Sequence, residues 1–315
     1  MTSLELATNS FLVLLSILFL WKGADFLVDA ATKIARSLGV SDLVIGLTVV
    51  SFGTSAPEFA VTIYSAIQGQ GDISIGNVIG SNIFNLGFIL GGCAALIGFK
   101  TTKTLVYRDG LFLISVTIIL RLLLQDRYFD QLNGAILLSL LIGYISFLYM
   151  QKEPVGDGEE LAEGKADWKD WLWLFIGVAV VVGGGHLMVE AASKIARHFG
   201  LSDWVIGVTI CAAGTSMPEF ATSIVAVSRG QHGLSIGNLI GSDLFNILGV
   251  LGVAGLIHPM EVDPAALGST TLLIGMVSLV VLFMRTGWAV SRLEGAILVV
   301  INLVRWVHDF TSRGG

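Results

Sequence analysis

Charge, proline and cysteine are all scarce in this 315-residue chain: Asp, Glu, Lys and Arg make up 13% of it, with five prolines and two cysteines. A soluble domain carries about 25% charged residues, so water is excluded as the main solvent of this surface. Cys93 and Cys211 lie in apolar or glycine-rich runs. That excludes a disulfide framework and marks both as small buried hydrophobes. No basic patch with interleaved aromatics occurs, which excludes nucleic acid as a partner. The formal net charge of −6 sits in loops and one polar stretch, and by itself names no partner.

What is present in excess is apolar length. Hydrophobic residues form 54% of the chain and the mean hydropathy is +0.81. Apolar runs of about 20 residues, the length that crosses a bilayer as a helix, recur throughout. They predict an all-α polytopic membrane protein with ten transmembrane helices, at 9–35, 42–68, 72–98, 105–124, 131–150, 170–196, 203–228, 234–257, 267–285 and 292–310. The first apolar run, Phe11 to Trp21, lacks a basic start and belongs to a pattern that recurs later, so it reads as mature structure and not as a leader. Only 151–170 is long and polar. It holds Glu153, Asp157, Glu159, Glu160, Glu163, Asp167 and Asp170, cannot bury a core, and reads as a solvated acidic linker between residues 1–150 and 171–315.

The two halves are copies. Shifting the sequence by 161 residues aligns Lys33–Asn85 with Lys194–Asn246 without a gap, and 30 of the 53 positions are identical. The repeated cores are 42–98 and 203–257. Five spans per half is an odd number, so the second copy enters the membrane from the opposite side. The expected architecture is therefore two inverted five-helix repeats, an arrangement typical of secondary transporters. Loop charge sets the orientation: eleven Lys and Arg fall on the side that carries the 151–170 linker and six on the other. The excess places the linker in the cytoplasm and both termini outside the cell, in the inner membrane.

Within the second span, Gly53-Thr54-Ser55-Ala56-Pro57-Glu58 predicts a broken helix, because Pro57 removes a backbone donor and clashes with the preceding turn. Backbone freed at membrane depth is tolerated where it lines a cavity. Glu58 follows the break directly, and an ionisable side chain inside a membrane marks a functional site by default. Gly214-Thr215-Ser216-Met217-Pro218-Glu219 repeats the arrangement. In the next span Asn77, Ser81 and Asn85 stand four apart and form one polar stripe, with Gly76 and Gly80 permitting close helix approach. Asn238, Ser242 and Asn246 repeat the stripe beside Gly237 and Gly241. Lys22, Asp25 and Asp29, with His186 and Glu190 in the corresponding stretch, either pair structurally or line an access route. Lys33, Arg36, Lys194 and Arg197 read as interfacial side chains that snorkel.

Together the two halves offer two carboxylates, amide and hydroxyl oxygens, and carbonyls freed near Ser51 and Ala212. Neither motif contains His, which disfavours Zn2+ or Cu2+, whereas Ca2+ takes about six to eight oxygens in flexible geometry. Two glutamates balance one Ca2+, and Na+ could compete for the same oxygens. Three other readings remain open. Carboxylates in a low-dielectric site can also carry protons, giving divalent cation/H+ antiport. A passive channel fits poorly with inverted halves around a midplane site. An enzyme is disfavoured because no nucleophile–base pair or catalytic metal motif accompanies the glutamates.

Gly-Thr-Ser-Ala-Pro-Glu at 53–58, followed by Gly-Asn-Val-Ile-Gly-Ser-Asn-Ile-Phe-Asn at 76–85, resembles the α-repeats of the cation/Ca2+ exchanger superfamily. The nearest resemblance is to its prokaryotic sodium/calcium antiporters. This implies the ten-helix sodium/calcium exchanger-like fold, with the second, third, seventh and eighth helices around the ion and the long first and sixth helices sliding across them. It implies transported Ca2+ and Na+, a lipid bilayer as environment, no cofactor, and a monomer as functional unit. Glu58 and Glu219 would be the principal metal ligands. Thr54, Ser55, Ser81, Thr215, Ser216 and Ser242 would add hydroxyls, Ser51 and Ala212 carbonyls, and Asn85 and Asn246 would complete the site. One departure stands out: several such exchangers carry aspartate where this chain has Asn246, and here an extra acid, Asp243, lies three positions earlier. At 3.6 residues per turn it falls about 60° from Asn246, at the edge of the expected cavity.

Overall fold

A computed structural model describes residues 3–151, 166–200 and 212–313 of the chain. Twelve helical segments carry it, most of them apolar on the face turned outward. In the first half these are α1 (Ser3–Leu38), α2 (Asp42–Thr54), α3 (Ala56–Ile67), α4 (Gly71–Leu96), α5 (105–123) and α6 (Gln131–Gln151). In the second they are α7 (Trp168–His198), α8 (Ala212–Thr215), α9 (Met217–Ser228), α10 (His232–Ile257), α11 (Pro264–Arg285) and α12 (Arg292–Arg313). Helix occupies every predicted span where it is described. Among the described residues, six helices are each long and apolar enough to cross a bilayer, and α2 with α3 makes a seventh span, bent by 52° at its break.

The repeat is visible in the backbone. α4 and α10 begin and end 161 residues apart, and each switches to a wider π-helical turn at the same aligned residue, Asn85 or Asn246. Arg127 and Trp288, also 161 apart, share a left-handed backbone (φ 58° and 56°). Four two-residue strands qualify the all-α expectation: β1 (Phe99–Lys100), β2 (Tyr128–Phe129), β3 (Met260–Glu261) and β4 (Ala289–Val290). They pair antiparallel across the repeats, β1 with β4 and β2 with β3, as two copies related by a two-fold axis would.

Two apolar clusters hold the molecule together. The larger joins α4, α5, α6, α10 and α11 through residues such as Ile79, Ile83, Leu86, Leu113, Leu244, Leu248 and Val277. The smaller joins α1 and α7 to the flanks of α2 and α9 through Leu27, Ile34, Val181, Ile45 and Val225. Close approach needs glycine at the crossing of α2 with α10. A Cβ on Gly237 would stand 2.5 Å from the Leu43 carbonyl oxygen, and one on Gly241 2.7 Å from the Leu47 Cα. By the same offset Gly76 and Gly80 would meet residues 204–208, which lie outside the described residues, as do Cys211 and 152–165 of the predicted linker. Cys93 is buried.

The linker ends earlier than its acidity suggested. Asp167 accepts a bond from the Trp168 N–H at 2.7 Å, and the Asp170 side chain accepts from the Asp167 N–H at 2.9 Å. The two acids thus form a capping box that starts α7 at Trp168. At a helix N-terminus a carboxylate also meets the positive end of the dipole, so acidity here starts a helix instead of preventing one.

Candidate cation site

Both helix breaks fall where the proline chemistry places them. Ser55 leaves helical geometry (φ −79°, ψ 10°), as does Ser216 (φ −90°, ψ 8°), and Pro57 and Pro218 sit in the first turns of α3 and α9. On one side of the first break the Ser55 N–H donates to the Ser51 carbonyl at 3.0 Å; on the other the Phe59 N–H donates to the Ser55 carbonyl at 3.0 Å. Pro57 has no N–H, so the carbonyl deprived of its donor four residues on is that of Gly53. The Ser51 carbonyl also accepts from Thr54 Oγ1 at 3.3 Å, which occupies both its lone pairs. Thus the free backbone oxygen lies two residues beyond Ser51. The backbone of Ala212 opens α8, and the second ladder resumes with the Phe220 N–H on the Ser216 carbonyl at 3.1 Å.

The two breaks are crossed. Ser55 Oγ donates to Glu219 Oε1 at 2.9 Å, and Ser216 Oγ donates to Glu58 Oε1 at 2.9 Å. Each glutamate is therefore held by the hydroxyl of the opposite repeat. Thr215 contacts Glu58 and Thr54 contacts Glu219, while Ser242 Oγ donates to Glu219 Oε1 at 3.4 Å. Glu58, Glu219, Thr54, Ser55, Ser216 and Ser242 are fully buried, and Ser51 and Ser81 nearly so. Asn77 Nδ2 donates to the Glu58 carbonyl at 3.4 Å and to Thr62 Oγ1 at 3.0 Å; Asn238 Nδ2 makes the matching pair with the Glu219 carbonyl and Ser223 Oγ at the same distances. These asparagines brace the glutamate backbones from the neighbouring helix.

A second polar group lies where α4 and α10 begin their π-helical turns. Asn85 Nδ2 donates to Asp243 Oδ1 at 3.1 Å, and Asn246 Nδ2 donates to Asn82 Oδ1 at 3.1 Å. Asn82 Nδ2 donates in turn to the Asp243 carbonyl at 3.0 Å. All four side chains are fully buried. Asp243 thus lies inside the site and not at its edge. Asn82 escaped the sequence analysis because it falls off the Asn77–Ser81–Asn85 stripe. The 161-residue offset was the available signal, since it maps Asn82 onto Asp243.

Buried polar atoms are normally hydrogen-bonded. Here Glu58 Oε2, Glu219 Oε2, Asp243 Oδ2, Asn85 Oδ1 and Asn246 Oδ1 are buried and meet no donor among the described residues. All five are acceptors, and a cation satisfies such atoms. Among the described residues no group of three or more His, Cys, Asp and Glu side chains gathers as a metal cage. A cation here would therefore take hydroxyl, amide and backbone oxygens with the carboxylates, the mixed set that suits Ca2+ and Na+.

The charged residues of α1 and α7 find partners elsewhere. Arg229, which follows α9, donates to both Asp25 and Asp29, and Lys22 lies 3.7 Å from Asp25. Lys194 donates to Glu190 at 2.7 Å, and Lys33 lies 3.5 Å from Asp170.

Comparison with known proteins supplies the remaining findings. The profile of the sodium/calcium exchanger protein family matches residues 9–150 and 169–306. The chain is 34% identical to Sodium/calcium exchanger MaX1 of Methanosarcina acetivorans, over 94% of this chain and 96% of that protein. It is 33% identical to Inner membrane protein YrbG of Escherichia coli, with the same shares of each. Its fold matches a structure of the sodium-calcium exchanger NCX_Mj from crystals soaked with Na+ and Sr2+, with a TM-score of 0.84 and 30% identity, over 96% of this chain and 99% of that one.

Proposed function

Because the chain belongs to the sodium/calcium exchanger protein family, a family of membrane transporters and not of enzymes, we propose that it exchanges Ca2+ for Na+ by alternating access. The observation that carries this reading is the set of five donor-less buried oxygens contributed by both repeats. Ca2+ takes Glu58 Oε2 and Glu219 Oε2, which balance its charge. Thr54, Ser55, Ser81, Thr215, Ser216 and Ser242, with the backbone oxygens at the breaks near Ser51 and Ala212, replace water around it. Na+ draws on subsets of the same oxygens, so loading with one ion opposes loading with the other. Because each Glu is gripped by the other repeat's serine, an ion bound at one half-site is felt by both.

In this reading the chain sits in the inner membrane as ten spans, in inverted halves 1–150 and 171–315, and works as a monomer. The 151–170 linker faces the cytoplasm and both termini face outward. Ca2+ uptake into Na+-loaded proteoliposomes diluted into Na+-free buffer tests the function. Uptake driven by the Na+ gradient and lost in Glu58→Gln is the expected result. Uptake that follows only an imposed pH gradient would reassign the chain to divalent cation/H+ antiport on the same scaffold. Uptake that needs no counter-gradient would point to a channel.

A further inference from the structure

We propose that Asp243 forms, with Asn85 and Asn246, a separate subsite for a monovalent cation, distinct from the divalent site between Glu58 and Glu219. This deepens the exchange reading and relies on it only for stoichiometry; the binding itself does not depend on it.

Three observations support the subsite. First, the polar atoms fall into two groups with no hydrogen bond between them. The glutamates are bound by hydroxyls of Ser55, Ser216 and Ser242, whereas Asp243 belongs to an amide group with Asn85, Asn82 and Asn246. Second, Asp243 Oδ2, Asn85 Oδ1 and Asn246 Oδ1 are fully buried acceptors without a donor among the described residues. The amide nitrogens of both asparagines are already spent, on Asp243 Oδ1 and Asn82 Oδ1, which leaves their oxygens free to face a cation. Third, the charges do not close without one. No Lys, Arg or His pairs with Glu58, Glu219 or Asp243 among the described residues. A divalent ion balances the two glutamates, and one negative charge remains. A buried unpaired charge is costly, and a single monovalent cation removes the excess. A divalent ion at Asp243 would instead leave one positive charge uncompensated.

The repeat sharpens the argument. Position 82 of the first half holds Asn and position 243 of the second holds Asp, at the same offset. An all-Asn version of this amide group is therefore compatible with helices of this geometry, and Asp243→Asn is a near-isosteric test. Na+ and K+ share the chemistry, and the experiment separates them.

The purified full chain is heated in NaCl, KCl or choline chloride at equal ionic strength, and in CaCl2, as wild type, Asp243→Asn and Asn246→Ala. The expected result is that Na+, K+ or both raise the wild-type midpoint relative to choline, and that both variants lose this rise. The Ca2+ concentration for half-maximal stabilisation then stays within about threefold, as for independent sites. In proteoliposomes the Hill coefficient for the driving monovalent ion falls by about one in Asp243→Asn. An undiminished Na+ and K+ response in Asp243→Asn would make the carboxylate a structural acceptor and overturn the subsite. A tenfold or greater loss of Ca2+ response would merge Asp243 into the divalent site and overturn its separateness. Should Asp243→Asn fail to fold, Asn246→Ala carries the same two readouts. Wild-type protein stabilised by Na+ or K+ but silent in Na+-driven Ca2+ uptake would sink the exchange reading and leave the subsite standing.

Discussion

The first repeat and the second agree in backbone and differ in a handful of side chains, and the differences fall at two depths. At the breaks they match closely: Ser55 and Ser216 hold the opposite glutamates at equal distances, and Asn77 and Asn238 brace them identically. One turn beyond Ser81 and Ser242 the match fails, because Asn82 faces Asp243. At the rim it fails again: Arg229 clamps Asp25 and Asp29 of α1, whereas the positions aligned with them hold Gln68, His186 and Glu190. Symmetry is thus kept where a shared ion must be handled alike from both faces, and relaxed where the two faces differ. A gene duplication supplies the copies; the chemistry of the ion decides which positions stay paired.

The strongest way to break this comparison is at the glutamates. Glu58→Gln and Glu219→Gln should each cut Ca2+ transport by at least about 100-fold, since removing one charge from a buried ion site costs roughly 3–5 kcal/mol. Radiolabelled Ca2+ uptake checks this, and unequal losses would show that the halves are not equivalent. The next effect concerns the crossing of the breaks. Ser55→Ala and Ser216→Ala each remove a bond to a carboxylate worth about 1.5–3 kcal/mol, so Ca2+ binding should weaken roughly tenfold or more. A double-mutant cycle of Ser55→Ala with Glu219→Gln should be strongly non-additive, and one with Glu58→Gln close to additive; the reverse pattern would refute the crossed arrangement.

Gly237→Ala addresses packing alone. The added Cβ meets the Leu43 carbonyl oxygen at 2.5 Å, and thermal unfolding should report a loss of about 1–3 kcal/mol. The smallest effect is expected at the rim. Arg229→Gln gives the second half the residue of the first; because exposed ion pairs are worth about 0–1 kcal/mol, stability should fall by no more than that. The loss should shrink in high salt, and a salt-independent loss would mean that Arg229 packs and does not pair.

Much of this was legible before any coordinates. The 161-residue copy gave the halves, the prolines gave the breaks, and the glutamates beside them gave the centre. The crossing of Ser55 to Glu219 was not legible, because helical spacing says which residues share a face of one helix and nothing about which helix lies opposite. Asn82 was hidden for a related reason: one position on from Ser81 turns the side chain about 100° around the helix, away from the stripe the spacing picks out. Asp243 was seen but left at the cavity edge, since an angle on a wheel fixes direction and not the partner that meets it. The early start of α7 was obscured because capping acids look, in composition alone, like the rest of an acidic linker.

The crossed contacts also impose an order in time. The N-terminal half leaves the ribosome first, but the acceptor for Ser55 lies 164 residues further along the chain. At about 5–20 residues per second that segment takes roughly 10–30 s to synthesise. During this interval Glu58 lacks Ser216, β1 lacks β4 and β2 lacks β3, so the nascent half waits in the bilayer with its polar centre incomplete. Biogenesis of this molecule therefore has a late, all-or-none step in which the ion site and both rim ladders close together.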